Sequence, residues 1–299
     1  MKPLFSIVIP SYNRSTLLEQ CIRAILAQKE QRFEIVVVDD GSTDNTEELV
    51  DKYKCSDARI RYFKKENEER AIARNFGARK ARGAYINFFD SDDIMYSNHL
   101  SNAAFIVSRH HRPPVFHVGY EIVDTYGKVI KQVTEDPGNF KKRLAYENFL
   151  SCNSVFVRSD VANEYQFNEE TNLLTSEDYE LWLRIASKYP FVSDRTISYK
   201  MVEHESRSLN LIKTQKVKEK YVTMIETLLL NESFTKSFAK HINYFVSSKY
   251  SYLALVYSEG NCQRKEAWTF LLKSIWLYQL SIFSRRTWAI IRNLVTCRL

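Results

Sequence analysis

Two apolar runs that end in carboxylates constrain this chain more than any other feature. "FEIVVVDD" closes on Asp39 and Asp40, and "YINFFDSDD" closes on Asp90, Asp92 and Asp93. Each run is short, rich in β-formers and bounded by turn residues, the pattern of a buried strand. Carboxylates packed this closely repel one another unless a positive charge sits among them. A single acid cluster is ordinarily a solvated turn with an Asp capping the next helix. Two clusters at strand ends of one sheet should face a common crevice, where open α/β sheets bind ligands.

The surrounding pattern supplies that sheet. "LFSIVIP" reads as a first strand, since the apolar run Leu4 to Ile9 is too short for a secretory signal. Leu18, Cys21 or Ile22, Ile25 and Leu26 recur at helical spacing behind it, with Thr16 and Glu19 spaced as a capping box. "STDNTEELVDKY" starts a second helix, "IRYFKK" a strand, and "RAIARNFGARKAR" a helix stopped by Gly83. This alternation predicts a mostly parallel sheet with helices on both faces. Beyond Pro114, "VFHVGYEIVD" and "KVIKQV" read as a hairpin through "TYGK". "NSVFVRS" and "TISYKMVEH" read as strands and "SEDYELWLRIASKY" as a helix. From about Asn210 the periodicity is helical throughout.

Composition narrows the chemistry. Seven glycines and no Rossmann or P-loop pattern argue against phosphates cradled by backbone amides. An acid-rich edge instead suits Mg²⁺ or Mn²⁺, hard cations that prefer oxygen ligands and would bridge a nucleotide diphosphate. Five cysteines without short paired spacings suggest neither a disulfide framework nor zinc, and fit a reducing cytosol. The net charge is +7, but residues 264–299 hold seven Lys/Arg and one Glu, so 7 − 1 = +6 of it lies there. No nucleic-acid recognition motif accompanies this charge.

The ordered motifs "SIVIPSYNR", "IVVVDDGSTDNT", "ARNFGARKARGAYINFFDSDD", "NSVFVRSD" and "SEDYELWLR" resemble those of glycosyltransferase family 2 over roughly residues 4–208. The resemblance implies a GT-A nucleotide-diphospho-sugar transferase fold, with a mostly parallel central sheet flanked by helices and a C-terminal helical region. It also implies roles. Pro10 and Tyr12 would wall the base pocket, Asp39 would accept from a uracil-like N–H, and Arg74 would contact base or phosphates. Asp90 and Asp92 match the family's Asp-x-Asp motif, Asp92 as a metal ligand and Asp90 reaching ribose or metal. Asp93 falls beside the metal ligands or caps a helix. Asp178 would be the base of an inverting transfer, its pKa raised by the adjacent Glu177. His204 would complete the metal shell, and Arg207 would close over the diphosphate. Trp182, one turn past the base, faces either acceptor or core.

Processive members follow the base with Gln-x-x-Arg-Trp, whereas this chain has "LWLR", so the resemblance favours addition of a single sugar. The expected reaction moves a hexose or N-acetylhexosamine from a UDP-sugar to a glycan or polyprenyl-linked acceptor, in cell-surface polysaccharide or glycoconjugate biosynthesis. The expected organisation is a catalytic domain over 1–208 and a helical region over 209–299. Trp268, Trp276 and Trp288 lie among basic residues in that region, which suggests peripheral contact of a cytoplasmic protein with the inner membrane. A helical hairpin packed on the catalytic domain accounts for the same pattern. Two other functions stay open on sequence: a haloacid-dehalogenase-like phosphatase, for which "NFFDSDD" would have to lie on the first strand, and a non-catalytic membrane adaptor.

Overall fold

The chain is described by a computed structural model over residues 2–135, 137–173, 175–203, 214–259 and 263–296. Its first half repeats strand and helix: β1 (Phe5–Ser11), α1 (Ser15–Leu26), β2 (Phe33–Asp39), α2 (Thr46–Ser56), β3 (Ile60–Lys64), α3 (Arg70–Lys80) and β4 (Tyr85–Phe88). These four strands pair in parallel, in the order β3-β2-β1-β4. β2 is buried along its whole length, because helices cover both faces of a parallel sheet. Order reverses between β1 and β4, so the carboxyl ends of β2 and β4 flank the opening above β1. Pro10 is tolerated in β1 because the register with β4 ends at Val8.

Beyond β4 the sheet is mixed. β5 (Ile94–Met95) and α4 (His99–Arg109) lead to the hairpin of β6 (Val115–Val123) and β7 (Val129–Val133). After α5 (Phe140–Tyr146), β8 (Val155–Arg158) lies antiparallel between β4 and β6. α6 (Ser159–Glu164) and α7 (Glu177–Lys188) precede β9 (Phe191–Val202), which pairs parallel to β6 and antiparallel to β5. The predicted parallel character thus holds throughout the first half, while the second half is mixed: β6 and β9 run parallel, and the pairs β4–β8, β6–β8, β6–β7 and β5–β9 are antiparallel.

Helix α3 lies close over β1 and β2 through Gly77. A Cβ there would sit 2.3 Å from Val8 Cγ1, so only glycine permits this approach. The capping box at Thr16 and Glu19 does not form. Helix α1 starts one residue earlier, at Ser15, whose amide donates to Asp44 Oδ2, and Glu19 instead accepts from Arg23 and Tyr53.

The C-terminal region comprises α8 (Thr214–Leu229), α9 (Glu232–Ser237), α10 (Ile242–Ser258), α11 (Arg264–Leu277) and α12 (Arg285–Thr296). Met224, Leu228, Phe234, Phe238 and Phe245 join one apolar cluster with Val155, Leu181 and Trp182 of the sheet domain. Leu253, Ala267, Leu271, Ile290 and Leu294 form a separate outer cluster. Trp182 is therefore a core residue, packed edge-on against Phe167. No helix of the described residues is long and apolar enough to cross a membrane.

Candidate active site

The strand ends open into a cavity of about 890 Å³, lined among others by Pro10, Tyr12, Asp40, Arg74, Asp90, Asp92, Glu177 and Asp178. Tyr12 is 47% exposed on its wall and so is no core aromatic. Two non-glycine residues on the wall, Glu69 and Thr175, have positive φ of 97° and 70°. Backbone strain of this kind concentrates at ligand sites.

The two acids ending β2 divide their work differently from expectation. Asp39 does not reach the cavity surface. It is fully buried, with Oδ1 accepting from the Ser42 amide at 2.8 Å and Oδ2 from the Tyr62 hydroxyl. These bonds hold the turn at Gly41, whose φ of +84° favours glycine. Asp40 is the one that lines the cavity, paired with Lys65 at 2.6 Å and accepting from the amides of Glu68 and Glu69.

At the end of β4, Asp90, Asp92 and Asp93 bring ligand oxygens within 4.8 Å of one another. A one-turn cap built by Ser151 and Ser154 presents Asn153 to this loop. The Asn153 side chain donates to Asp93 Oδ2 at 2.6 Å and accepts from the Asp90 amide at 2.9 Å. Asp93 also accepts from the Val202 amide of β9, so it braces the loop and caps no helix. Arg14 pairs with Asp92 and Arg74 with Asp90, each at 2.7 Å. Among the described residues the donor set fits a hard divalent cation: the Asp90 and Asp92 carboxylates lie on one short loop, with Asp93 held beside them by the Asn153 amide. His204 and Arg207 lie outside the described residues.

Arg74 is buried and joins the two acid groups. One terminal nitrogen meets Asp90 and the other meets Glu177 Oε1 at 2.8 Å, where Arg70 also pairs at 2.7 Å. Glu177 and Asp178 open α7, where the helix dipole favours negative charge. Asp178 is half-buried beside the cavity, accepting from its neighbour's amide, Tyr179 N–H, at 2.7 Å and from Asn148 at 3.3 Å. Burial first, and the Glu177 carboxylate second, push its pKa up to about 6, against the opposing pull of Arg74 and Arg70. A carboxylate so tuned accepts a proton near neutral pH.

Sequence reasoning located Pro10, Tyr12, Arg74, Asp90, Asp92 and Asp178, and the structure brings all six to one cavity. It passed over Arg14 and Asn153, although "SYNR" and "NSVFVRS" contain them. It also passed over Lys220, Lys249 and Arg286, which the C-terminal helices bring to the same cavity. Only tertiary packing places those three.

A parallel half-sheet with acids at its switch point and a helix-borne carboxylate opposite defines the GT-A nucleotide-diphospho-sugar transferase class. Residues 6–153 match the family model "Glycosyl transferase family 2". An uncharacterized glycosyltransferase of Rickettsia bellii is 34% identical over 186 residues, 61% of this chain and 26% of that protein. The chain therefore matches about a quarter of that relative's length. The putative teichuronic acid biosynthesis glycosyltransferase TuaG of Bacillus subtilis is 29% identical over 189 residues, 62% of this chain and 73% of TuaG. A crystal structure of S. aureus TarS in complex with UDP-GlcNAc superposes with a TM-score of 0.65 at 19% identity, covering 96% of this chain and 92% of that one. Residues 6–153 of the chain thus belong to glycosyltransferase family 2.

Proposed function

We propose that the chain is an inverting, metal-dependent transferase that moves one hexose or N-acetylhexosamine from a UDP-sugar to a glycan acceptor in cell-surface polysaccharide or glycoconjugate biosynthesis. The observation that carries this reading is the placement of Asp178 and the Asp90/Asp92 pair on one cavity, joined by Arg74 and Glu177. The solved TarS complex with UDP-GlcNAc and the teichuronic acid name of TuaG support the donor class and the polymer context.

In this reading Asp90 and Asp92, with Asp93 bracing them, would hold Mn²⁺ or Mg²⁺, and His204, outside the described residues, would be the further ligand. The cation, when bound, neutralises charge that develops on the leaving diphosphate. Pro10 and Tyr12 would wall the base and Arg74 would face the phosphates; Arg207, outside the described residues, is the residue expected to close over the diphosphate. Asp178 takes the proton from the acceptor hydroxyl as that oxygen bonds to the anomeric carbon. The bond from that carbon to the diphosphate oxygen breaks on the opposite face, and UDP leaves with the electron pair. Residues 1–208 form the catalytic domain and 209–299 the helical region.

The acceptor in this reading is lipid-linked and is met at the inner membrane face. Trp268, Leu272 and Trp276 recur every four residues along the outer side of α11, and Leu280 and Phe283 continue the exposed apolar strip. Arg285 and Arg292 lie on the next helix, and the single acid in residues 264–296 is Glu266. Such a surface suits an anionic interface.

The test is UDP release from a panel of UDP-sugars with Mn²⁺, alongside calorimetric UDP binding. Asp178→Asn is expected to cut turnover by about 10²–10⁴-fold while Mn²⁺-dependent UDP binding persists. Full activity in that variant removes the assigned base. Absence of UDP binding in the unaltered chain overturns the donor assignment.

A further inference from the structure

Beside Asp178 the cavity wall is made by the C-terminal helices, and its chemistry differs from the donor side. Lys220 of α8, Lys249 of α10 and Arg286 at the start of α12 all reach it, with the tyrosines Tyr221 and Tyr252 between them. The buried Lys220 ammonium has one hydrogen-bond partner among the described residues, the neutral Thr175 hydroxyl at 3.3 Å. Glu177 and Asp178 act on it through space, yet Glu177 is already paired with Arg70 and Arg74. Burial pulls the Lys220 pKa down to about 8, which leaves it mostly charged at neutral pH, and no carboxylate of the described residues pairs with it directly.

Arg286 is held for recognition in a similar way. It lies over the Tyr146 ring at 4.8 Å and near Tyr252 at 5.8 Å, and one terminal nitrogen is spent on the Ser248 carbonyl and Ser251 hydroxyl. Its other terminal nitrogen meets Glu147 Oε2 only at 3.7 Å, beyond hydrogen-bond length, while Arg143 holds Glu147 Oε1 at 2.8 Å. Lys249 donates to the carbonyls of Ala145 and Tyr146 and to the Tyr179 hydroxyl, and burial pulls its pKa well down, so it offers the subsite no free donor. Burial raises the pKa of Tyr221 and Tyr252, which keeps both hydroxyls as proton donors. A planar guanidinium, an under-paired ammonium and two phenols match a tetrahedral oxyanion.

We propose that Lys220 and Arg286 form an acceptor subsite for a phosphate group, set beside Asp178 and furnished by the C-terminal helices. The proposal rests on the transferase reading of the same cavity and specifies what that reading leaves open: the acceptor carries a phosphate near the hydroxyl that is glycosylated. The phosphate belongs either to a lipid carrier or to the glycan itself, since both offer the same group.

The experiment uses the full chain saturated with UDP and Mg²⁺, so that the donor site is filled, and titrates phenyl phosphate by calorimetry. One saturable site is expected. Lys220→Met and Arg286→Ala should each weaken it about tenfold or more, the scale on which loss of a buried charge partner acts. Lys220→Arg, which keeps the charge, and Lys128→Ala, on the exposed β6–β7 turn, should stay within about threefold of the unaltered chain, well under that tenfold scale. UDP affinity should be the same in all four, which also reports that each is folded. Phenyl phosphate that fails to saturate, or that binds both charge-removing variants as tightly as the unaltered chain, overturns the subsite. Failure of UDP itself to bind would instead strike the donor reading. Neutral phosphatidylcholine vesicles carrying farnesyl phosphate distinguish the sources. Competition with phenyl phosphate assigns the group to a lipid, and its absence, with phenyl phosphate still bound, assigns it to the glycan.

Discussion

The two walls of the cavity are built by opposite means. On the donor side, acids stand at the ends of regular strands, and arginines of the same domain compensate them: Arg14 on Asp92 and Arg74 on Asp90. On the far side, cations come from irregularly spaced positions of packed helices, and mostly carbonyls and hydroxyls face them. On the first wall Asp40, Asp90, Asp92 and Glu177 are each ion-paired within the sheet domain. On the second, Lys220 meets a neutral hydroxyl and Arg286 a carboxylate only at 3.7 Å. The contrast teaches that the helical region is part of the site, because it shares a core with the sheet domain through Phe234, Phe238 and Phe245.

The sharpest way to break the contrast is at Arg74. Arg74→Met strips a buried cation from two carboxylates and is expected to cost about 3–5 kcal/mol, read by urea unfolding. A loss under 1 kcal/mol would mean that the donor wall does not depend on internal compensation.

Phe245→Ala probes the other wall. It should cost about 3–5 kcal/mol in a single cooperative transition, because this ring belongs to the shared core. Separate melting of the helices, with UDP still stabilising the remainder, would demote them to an appendage.

Acidity gives a smaller, graded effect. The Asp178 pKa is raised to about 6, so the proposed base is mostly ionised above that value and mostly protonated below it. Turnover should level off about one unit above this pKa and fall about tenfold per unit from about one unit below it. Glu177→Gln removes the negative neighbour that raises this pKa and leaves Arg70 and Arg74 pulling it down. The acidic limb should therefore move to lower pH, and a limb that stays put or moves up would reject the coupling.

The smallest effect on folding is expected at Trp276, which is 82% exposed. Trp276→Ser should change stability by no more than about 0.5 kcal/mol. Its co-sedimentation with anionic vesicles should nonetheless drop. Unchanged sedimentation would leave the α11 strip without a membrane role.

How much of this was legible in the sequence follows from what kind of pattern each part leaves. Strands β1, β2 and β4 write themselves as predominantly apolar runs, because both faces are covered, and acids follow at the ends of β2 and β4. Asp178 was legible because a carboxylate pair opens a helix in a recognisable order. Asp39 was misplaced because neighbouring residues at a strand end look equivalent in sequence. Only the fold reveals that the Tyr62 hydroxyl and the Ser42 amide claim one of them. Lys220 and Arg286 were illegible for a different reason. A single basic residue on an amphipathic helix looks like a solvated one until packing from another helix encloses it.

Asn153 carries a consequence for how quickly the site fills. A carboxamide offers a donor and an acceptor on one rigid plane, and here both are spent on the acid loop. The loop is thus already immobilised in a shape that brings its oxygens together, and an arriving ion meets little further ordering. Replacing the amide nitrogen by oxygen, as in Asn153→Asp, keeps the outline and sets like charge against like, turning a latch into a spring.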